Sequence, residues 1–98
     1  MRMEQHQAIT ILSQLGGSRF LAMTGAKNFV CGDGLNFSIP RHNGINKVII
    51  KLNWRDTYDL EFYYIRGISA KLIAEDKDIY AENLRETFTA RTGLDCTL

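Results

Sequence analysis

Apolar residues recur at every second position across residues 47–66, KVIIKLNWRDTYDLEFYYIR, and at helical spacing towards the two ends of the chain. In the first half of the central stretch Val48, Ile50 and Leu52 alternate with Ile49, Lys51 and Asn53. In the second half Tyr58, Leu60, Phe62 and Tyr64 alternate with Asp59, Glu61 and Tyr63. Period-2 alternation rich in β-branched and aromatic side chains predicts two half-buried strands. A slip of one residue would turn the apolar set of one strand to water, so the register follows: Leu52 opposite Tyr58, Ile50 opposite Leu60, Val48 opposite Phe62. That pairing also sets Lys51 opposite Asp59, a favourable cross-strand pair of roughly 0.2–1 kcal/mol. It leaves Trp54, Arg55 and Asp56 as a three-residue turn.

Residues 3–15 bring Ala8, Ile11, Leu12 and Leu15 to one side of a helix, with Glu4, Gln5, Gln7 and Ser13 elsewhere on the wheel. Gly16 and Gly17 end it, because glycine supplies the left-handed backbone of a helix terminus. Residues 19–24, RFLAMT, read as a strand apolar on both faces, which implies a covered position. Phe29 and Val30 form a short strand or plug before a turn at residues 32–34. Leu35, Phe37 and Ile39 alternate with Asn36 and Ser38 as a further half-buried strand, and Pro40 suits a strand end or edge. His42-Asn43-Gly44 contains the Asn-Gly pair of a type I′ turn leading into the central hairpin.

After Gly67, residues 68–74 are a fifth strand candidate. Ala70, Leu72 and Ala74 would share its core face, but Ile73 breaks the pattern and leaves the register open. The run Glu75-Asp76-Lys77-Asp78 reads as a turn suited to the positive end of a following helix. That helix spans residues 79–92, with Tyr80, Ala81, Leu84 and Phe88 as its apolar stripe. Gly93 caps it and Leu94 folds back on its last turn. The expected fold is one α+β domain over residues 1–98. It has a single layer of four to five mostly antiparallel strands with both terminal helices on one face, in the order α-β-β-β-β-(β)-α.

A chain of 98 residues with 45% hydrophobic and 23% charged positions has the composition of an ordinary globular domain with one modest core. No apolar run approaches the ~20 residues of a membrane span, and Glu4, Gln5, His6 and Gln7 interrupt the apolar run that an export signal needs. A cytoplasmic location is expected. Cys31 and Cys96 lie far apart without a CxxC motif, which fits incidental reduced thiols.

Three strings, LGGSRFLAMTGAKNFV (residues 15–30), DTYDLEFYYIRG (56–67) and YAENLRETFTARTGL (80–94), resemble a group of small uncharacterised bacterial proteins associated with phages and other mobile elements. The resemblance spans nearly the whole chain, with residues 22–28 its most specific part. It implies a short stand-alone protein and brings no catalytic residues with it.

No constellation in the sequence carries a chemistry. His6 and His42 have no second ligand at metal spacing, and Cys31, Asp33 and His42 are three unlike groups in glycine-rich loops. Ser18 and Thr24 sit near glycines without a nucleophile-elbow motif, and the glycine pairs match neither a P-loop nor a dinucleotide fingerprint. The expectation is therefore a non-enzymatic protein with no metal and no cofactor.

Charge is distributed less evenly. Residues 18–55 contain Arg19, Lys27, Arg41, Lys47, Lys51 and Arg55 against Asp33 alone, whereas residues 56–98 contain nine acids and five bases. The overall net charge of +1 is small for a dedicated nucleic-acid protein. Trp54, at a hairpin tip, either folds back onto the sheet or anchors an interface, and Tyr63 stands beside it as a contact candidate. The expected function is a small protein-interaction module, with self-association as one form of it. The alternative is weak binding of single-stranded nucleic acid through the six basic residues, with bases stacked on nearby aromatics. No membrane partner is expected.

Overall fold

The computed structural model describes residues 3–96. The chain runs through α1 (Gln5–Leu15), α2 (Ser18–Thr24), β1 (Lys27–Cys31), β2 (Leu35–His42), β3 (Ile45–Leu52), β4 (Tyr58–Arg66), β5 (Ser69–Ile79), a short 3-10 turn (Ala81–Asn83) and α3 (Leu84–Thr92). The strands form one open antiparallel sheet whose spatial order is the chain order, β1-β2-β3-β4-β5. The terminal helices cover one face of that sheet, and the fold is α+β.

The central hairpin adopts the register required by its alternation: Val48 pairs with Phe62, Ile50 with Leu60, Lys51 with Asp59 and Leu52 with Tyr58. Asn53 and Thr57 close the turn through an N–H to carbonyl bond of 2.9 Å around Trp54, Arg55 and Asp56. Asp56 has φ of 62°, the left-handed residue of a three-residue hairpin loop. Lys51 does not use the carboxylate opposite it. Its Nζ bonds Glu61 at 3.2 Å, one step along the strand, while Asp59 accepts from the Asn53 amide and the Asp78 N–H.

The core lies between the helices and the sheet. Ile11 and Leu15 of α1, Phe20 of α2, and Leu84 and Phe88 of α3 meet Leu35, Phe37, Val48, Ile50, Leu60 and Phe62 of the strands. Phe20 packs edge-on against Phe37 and Phe88 at ring separations of 5.7 and 5.2 Å. Such aromatic pairs contribute about 0.5–1.5 kcal/mol each beyond the area they bury. The turn between β2 and β3, with positive φ at Asn43 and Gly44, docks the end of α3. The His42 Nδ1–H donates to the Thr92 carbonyl.

Three expectations are corrected and one question left open is decided. Residues 19–24 are helical, because only Phe20 and Thr24, four apart, are buried, while Leu21 and Ala22 face water. A short helix with one buried contact side satisfies this apolar run as well as a doubly covered strand would. Residues 75–78 are not a turn but the second half of β5. Asp76 pairs with Leu60 on the helix-covered face, where Arg91 of α3 meets its carboxylate. The C-terminal helix therefore begins later than expected, and Tyr80 and Ala81 are exposed instead of buried. Finally, an irregularity in β5 between Leu72 and Ala74 changes the phase of the strand. Ala74 packs on the core, whereas Ala70 and Leu72 lie opposite Ile65 and Tyr63 on the other face. Leu94 does fold back, its carbonyl accepting from the Thr89 hydroxyl at 2.9 Å.

Candidate interaction surface

One face of the sheet is left uncovered by the helices, and the ladder pairings define what it presents. Val30 lies opposite Asn36, Asn36 opposite Ile49, Ile49 opposite Glu61, and Glu61 opposite Glu75. The adjacent row runs Lys27, Ser38, Lys47, Tyr63, Leu72. Side chains opposite each other in a ladder share a face, so Val30, Ile49, Tyr63, Ile65 and Leu72 are all directed outward. Val30 is 60% exposed and Leu72 47%. These apolar side chains are scattered among polar ones.

Tyr63 sits near the middle of this face. Its hydroxyl donates to Glu61 at 2.8 Å, the same carboxylate that Lys51 holds from β3. The bond to Glu61 pushes the phenol above its ordinary pKa, since losing the proton would leave two negative oxygens in contact. Partial burial and the charges of Glu61 and Glu75 act in the same direction.

Trp54 occupies the tip of the same β3–β4 hairpin and is 87% exposed, so it does not fold back onto the sheet. The Arg55 guanidinium lies 5.2 Å from its ring centre. The loop beneath it is rigidly bonded. The Asn53 side chain donates to Thr57, Asp59 and Asp78, and accepts from the Arg55 and Thr57 N–H groups. A cleft of about 340 Å³ separates this tip from the N-terminal segment, lined by Met3, Gln7, Asp33, Leu52 and Trp54. Among the described residues, no acid, base and nucleophile converge in it.

The six basic residues occupy several surfaces. Lys27, Lys47 and Lys51 share the open face. Arg19 is on α2, on the helix side of the sheet. Arg41 lies over the Tyr64 ring at 4.8 Å, and Arg55 is paired with Asp78 at 3.3 Å beside the hairpin tip. Among the described residues, no group of three or more His, Cys, Asp or Glu side chains is arranged to hold a metal ion. Nor is any helix long and apolar enough to cross a membrane. Cys31 donates to the Met3 carbonyl at 3.0 Å, and burial pushes the Cys96 thiol up.

Sequence reasoning singled out Tyr63 and Trp54 but passed over Val30, Ile49, Ile65 and Leu72. For Ile49 and Ile65 the signal was present, because both fall at outward positions of the alternation that fixed the hairpin. Comparison with known protein families, curated proteins and solved structures finds no match to this chain.

Proposed function

We propose that this chain is a small protein-binding module that does no covalent chemistry and uses its uncovered sheet face, centred on Tyr63, as the contact surface. The observation that carries this reading is the placement of five apolar or aromatic side chains, Val30, Ile49, Tyr63, Ile65 and Leu72, on the one sheet face that no helix covers. A two-layer domain needs only one face of its sheet for folding, so apolar side chains on the other face add exposed area without adding core. Trp54 is a further exposed aromatic at the hairpin tip, lining the cleft against Met3 and Gln7, where a large rigid ring gives contact area at small entropic cost. The resemblance to proteins of mobile elements, and a cytoplasmic setting, belong to the same reading.

A photo-crosslinking residue placed at Tyr63, at Leu72 and, as a control on α1, at Ile9, which is 61% exposed, tests it. Protein adducts are expected from the first two positions and not from the third. Adducts from Ile9 alone, or adducts to nucleic acid in place of protein, would overturn the assignment.

A further inference from the structure

The chain-order arrangement of the strands turns a charge asymmetry along the sequence into one across the open face. At its outward positions the β1–β3 half presents Lys27, Lys47 and Lys51, with the neutral Asn36, Ser38 and Ile49. The β4–β5 half presents Asp59, Glu61 and Glu75 at its paired positions. Only Lys51 and Glu61 neutralise each other directly. Among the described residues neither Lys47 nor Lys27 has a carboxylate within 4.0 Å, and Glu75 has no cation within that distance. The face is thus a positive strip beside a negative strip, with Ile49 and Tyr63 near the seam.

Resting on the binding-module reading above, we infer that the occupant of this face is a second copy of the same chain, packed face to face about a twofold axis that runs along the strands near the β3–β4 boundary. Rotation about that axis lays β3 of each copy over β4 of the other, so Lys47 and Lys51 cover the other copy's Asp59 and Glu61, while β5 with Glu75 lies over β2, whose outward positions are the neutral Asn36 and Ser38. The contact made by one copy is made again in reverse by its partner, as an isologous interface requires. An in-plane axis across the strands would instead lay each strip on its own kind. Charge therefore selects one of the two ways of closing the faces.

The sheet edges are less suited to the same task. β5 is irregular between Leu72 and Ala74 and again between Asp76 and Ile79, where Asp78 has φ of 57°. β1 is irregular between Lys27 and Val30, with Asn28 at φ of 59°. Bulges and charges of this kind interrupt the row of free backbone groups on which a further strand would pair. The four overlapping strands, ~4.8 Å apart and about eight residues long, present on the order of 500 Å² per copy. That is near the lower end of specific interfaces and fits a reversible dimer.

Sedimentation of the whole chain over a concentration series, with Lys47→Glu and Glu61→Lys separately and mixed, and Glu75→Lys as a control, tests this. Wild type is expected to rise from the 11.2 kDa monomer towards twice that mass, less readily with added salt. Lys47→Glu or Glu61→Lys alone sets like charges against each other at both symmetry-related contacts and stays monomeric, whereas Glu75→Lys, over neutral β2, dimerises as wild type does. The equimolar mixture of Lys47→Glu with Glu61→Lys restores opposite charges at both, and dimer mass returns. Among the described residues Lys47 has no ion-pair partner and Glu61 gives up its bonds with Lys51 and Tyr63, and a circular dichroism spectrum and melting temperature matching wild type verify that each variant is folded.

A wild type that stays monomeric throughout, or Lys47→Glu and Glu61→Lys variants that each dimerise as wild type does, would overturn the inference. So would loss of association with Glu75→Lys but not Lys47→Glu, the pattern of pairing through the β5 edge. The crosslinking result separates the two levels. A monomeric protein whose Tyr63 probe still captures other proteins removes the second copy as occupant and leaves the binding module standing. A monomer with no adduct at that face removes both.

Discussion

Arg91 of α3 grips Asp76 of β5 through two parallel bonds, Nε to Oδ2 at 2.8 Å and Nη2 to Oδ1 at 2.9 Å. Fork-to-carboxylate geometry of this kind is the strongest form a single ion pair takes. It joins the C-terminal helix to the edge strand and gives an acidic residue on the helix-covered face a reason to be there.

The pair makes folding sensitive to acid. The hydrogen bonds from Arg91 hold the Asp76 carboxyl below its ordinary 3.8; partial burial opposes them and the guanidinium charge adds to them. Because the folded pKa is the lower one, the unfolded chain binds more protons in the acid range. The contribution is complete above 3.8 and fades as pH falls through the folded value. Urea unfolding midpoints of wild type and Asp76→Asn, measured down a pH series, should converge on the acid side. Curves that stay parallel would show that the pair has no such role.

Tyr63 carries the opposite sign. Its phenol is raised above 10.0, first by the bond to Glu61, so its contribution is complete below the ordinary value and is lost as pH rises through the folded one. In Glu61→Gln the carboxylate is gone and the Tyr63 phenol should titrate at lower pH than in wild type, followed by the chemical shifts of its ring. An unmoved titration would remove the hydrogen bond as the cause.

Two glycines with nearly the same backbone angle separate strain from contact. Gly44 has φ of 75° and open space where a Cβ would stand, so Gly44→Ala should cost the left-handed penalty alone, about 1–2 kcal/mol. Gly93 has φ of 74°, but there a Cβ would come within 2.9 Å of both His42 and Asn43. Gly93→Ala should cost more, by the amount needed to move the His42 and Asn43 side chains that the turn sets against the end of α3. Equal losses in urea denaturation would mean that the helix end and the turn are not packed together.

The helical form of α2 has its own test. Phe20 is fully buried and touches both Phe37 and Phe88, whereas Leu21 is 39% exposed. Phe20→Ala should lower stability by about 3–5 kcal/mol and Leu21→Ala by much less. A strand covered on both sides would lose heavily at both positions.

At the hairpin tip, stability and exposure are divided between neighbours. Trp54→Ala should change unfolding free energy by no more than about 0.5 kcal/mol, as for an exposed side chain with no structural task. Asn53→Ala should cost about 1–3 kcal/mol, since it strips partners from Thr57, Asp59 and Asp78 together. A large loss at Trp54 would show that its ring is packed.

The alternation of residues 47–66 was enough by itself to give the hairpin, its register and its turn, because the two strands are joined by a short loop and each side chain's face depends only on its own position in the pleat. The terminal helices and the Asn-Gly turn were legible for the same local reasons. What only the tertiary structure decided depended on partners distant in the chain. Phe20 could define the contact side of a helix only once Phe37 and Phe88 stood against it. The acids of 75–78 could continue a strand only because Arg91 receives Asp76 and the turn at Asn53 receives Asp78. The candidate surface is of the same kind. Its charges could be counted along the chain, but their division into two strips follows from strands that lie side by side in the order in which they were made, a consequence of which backbone pairs with which.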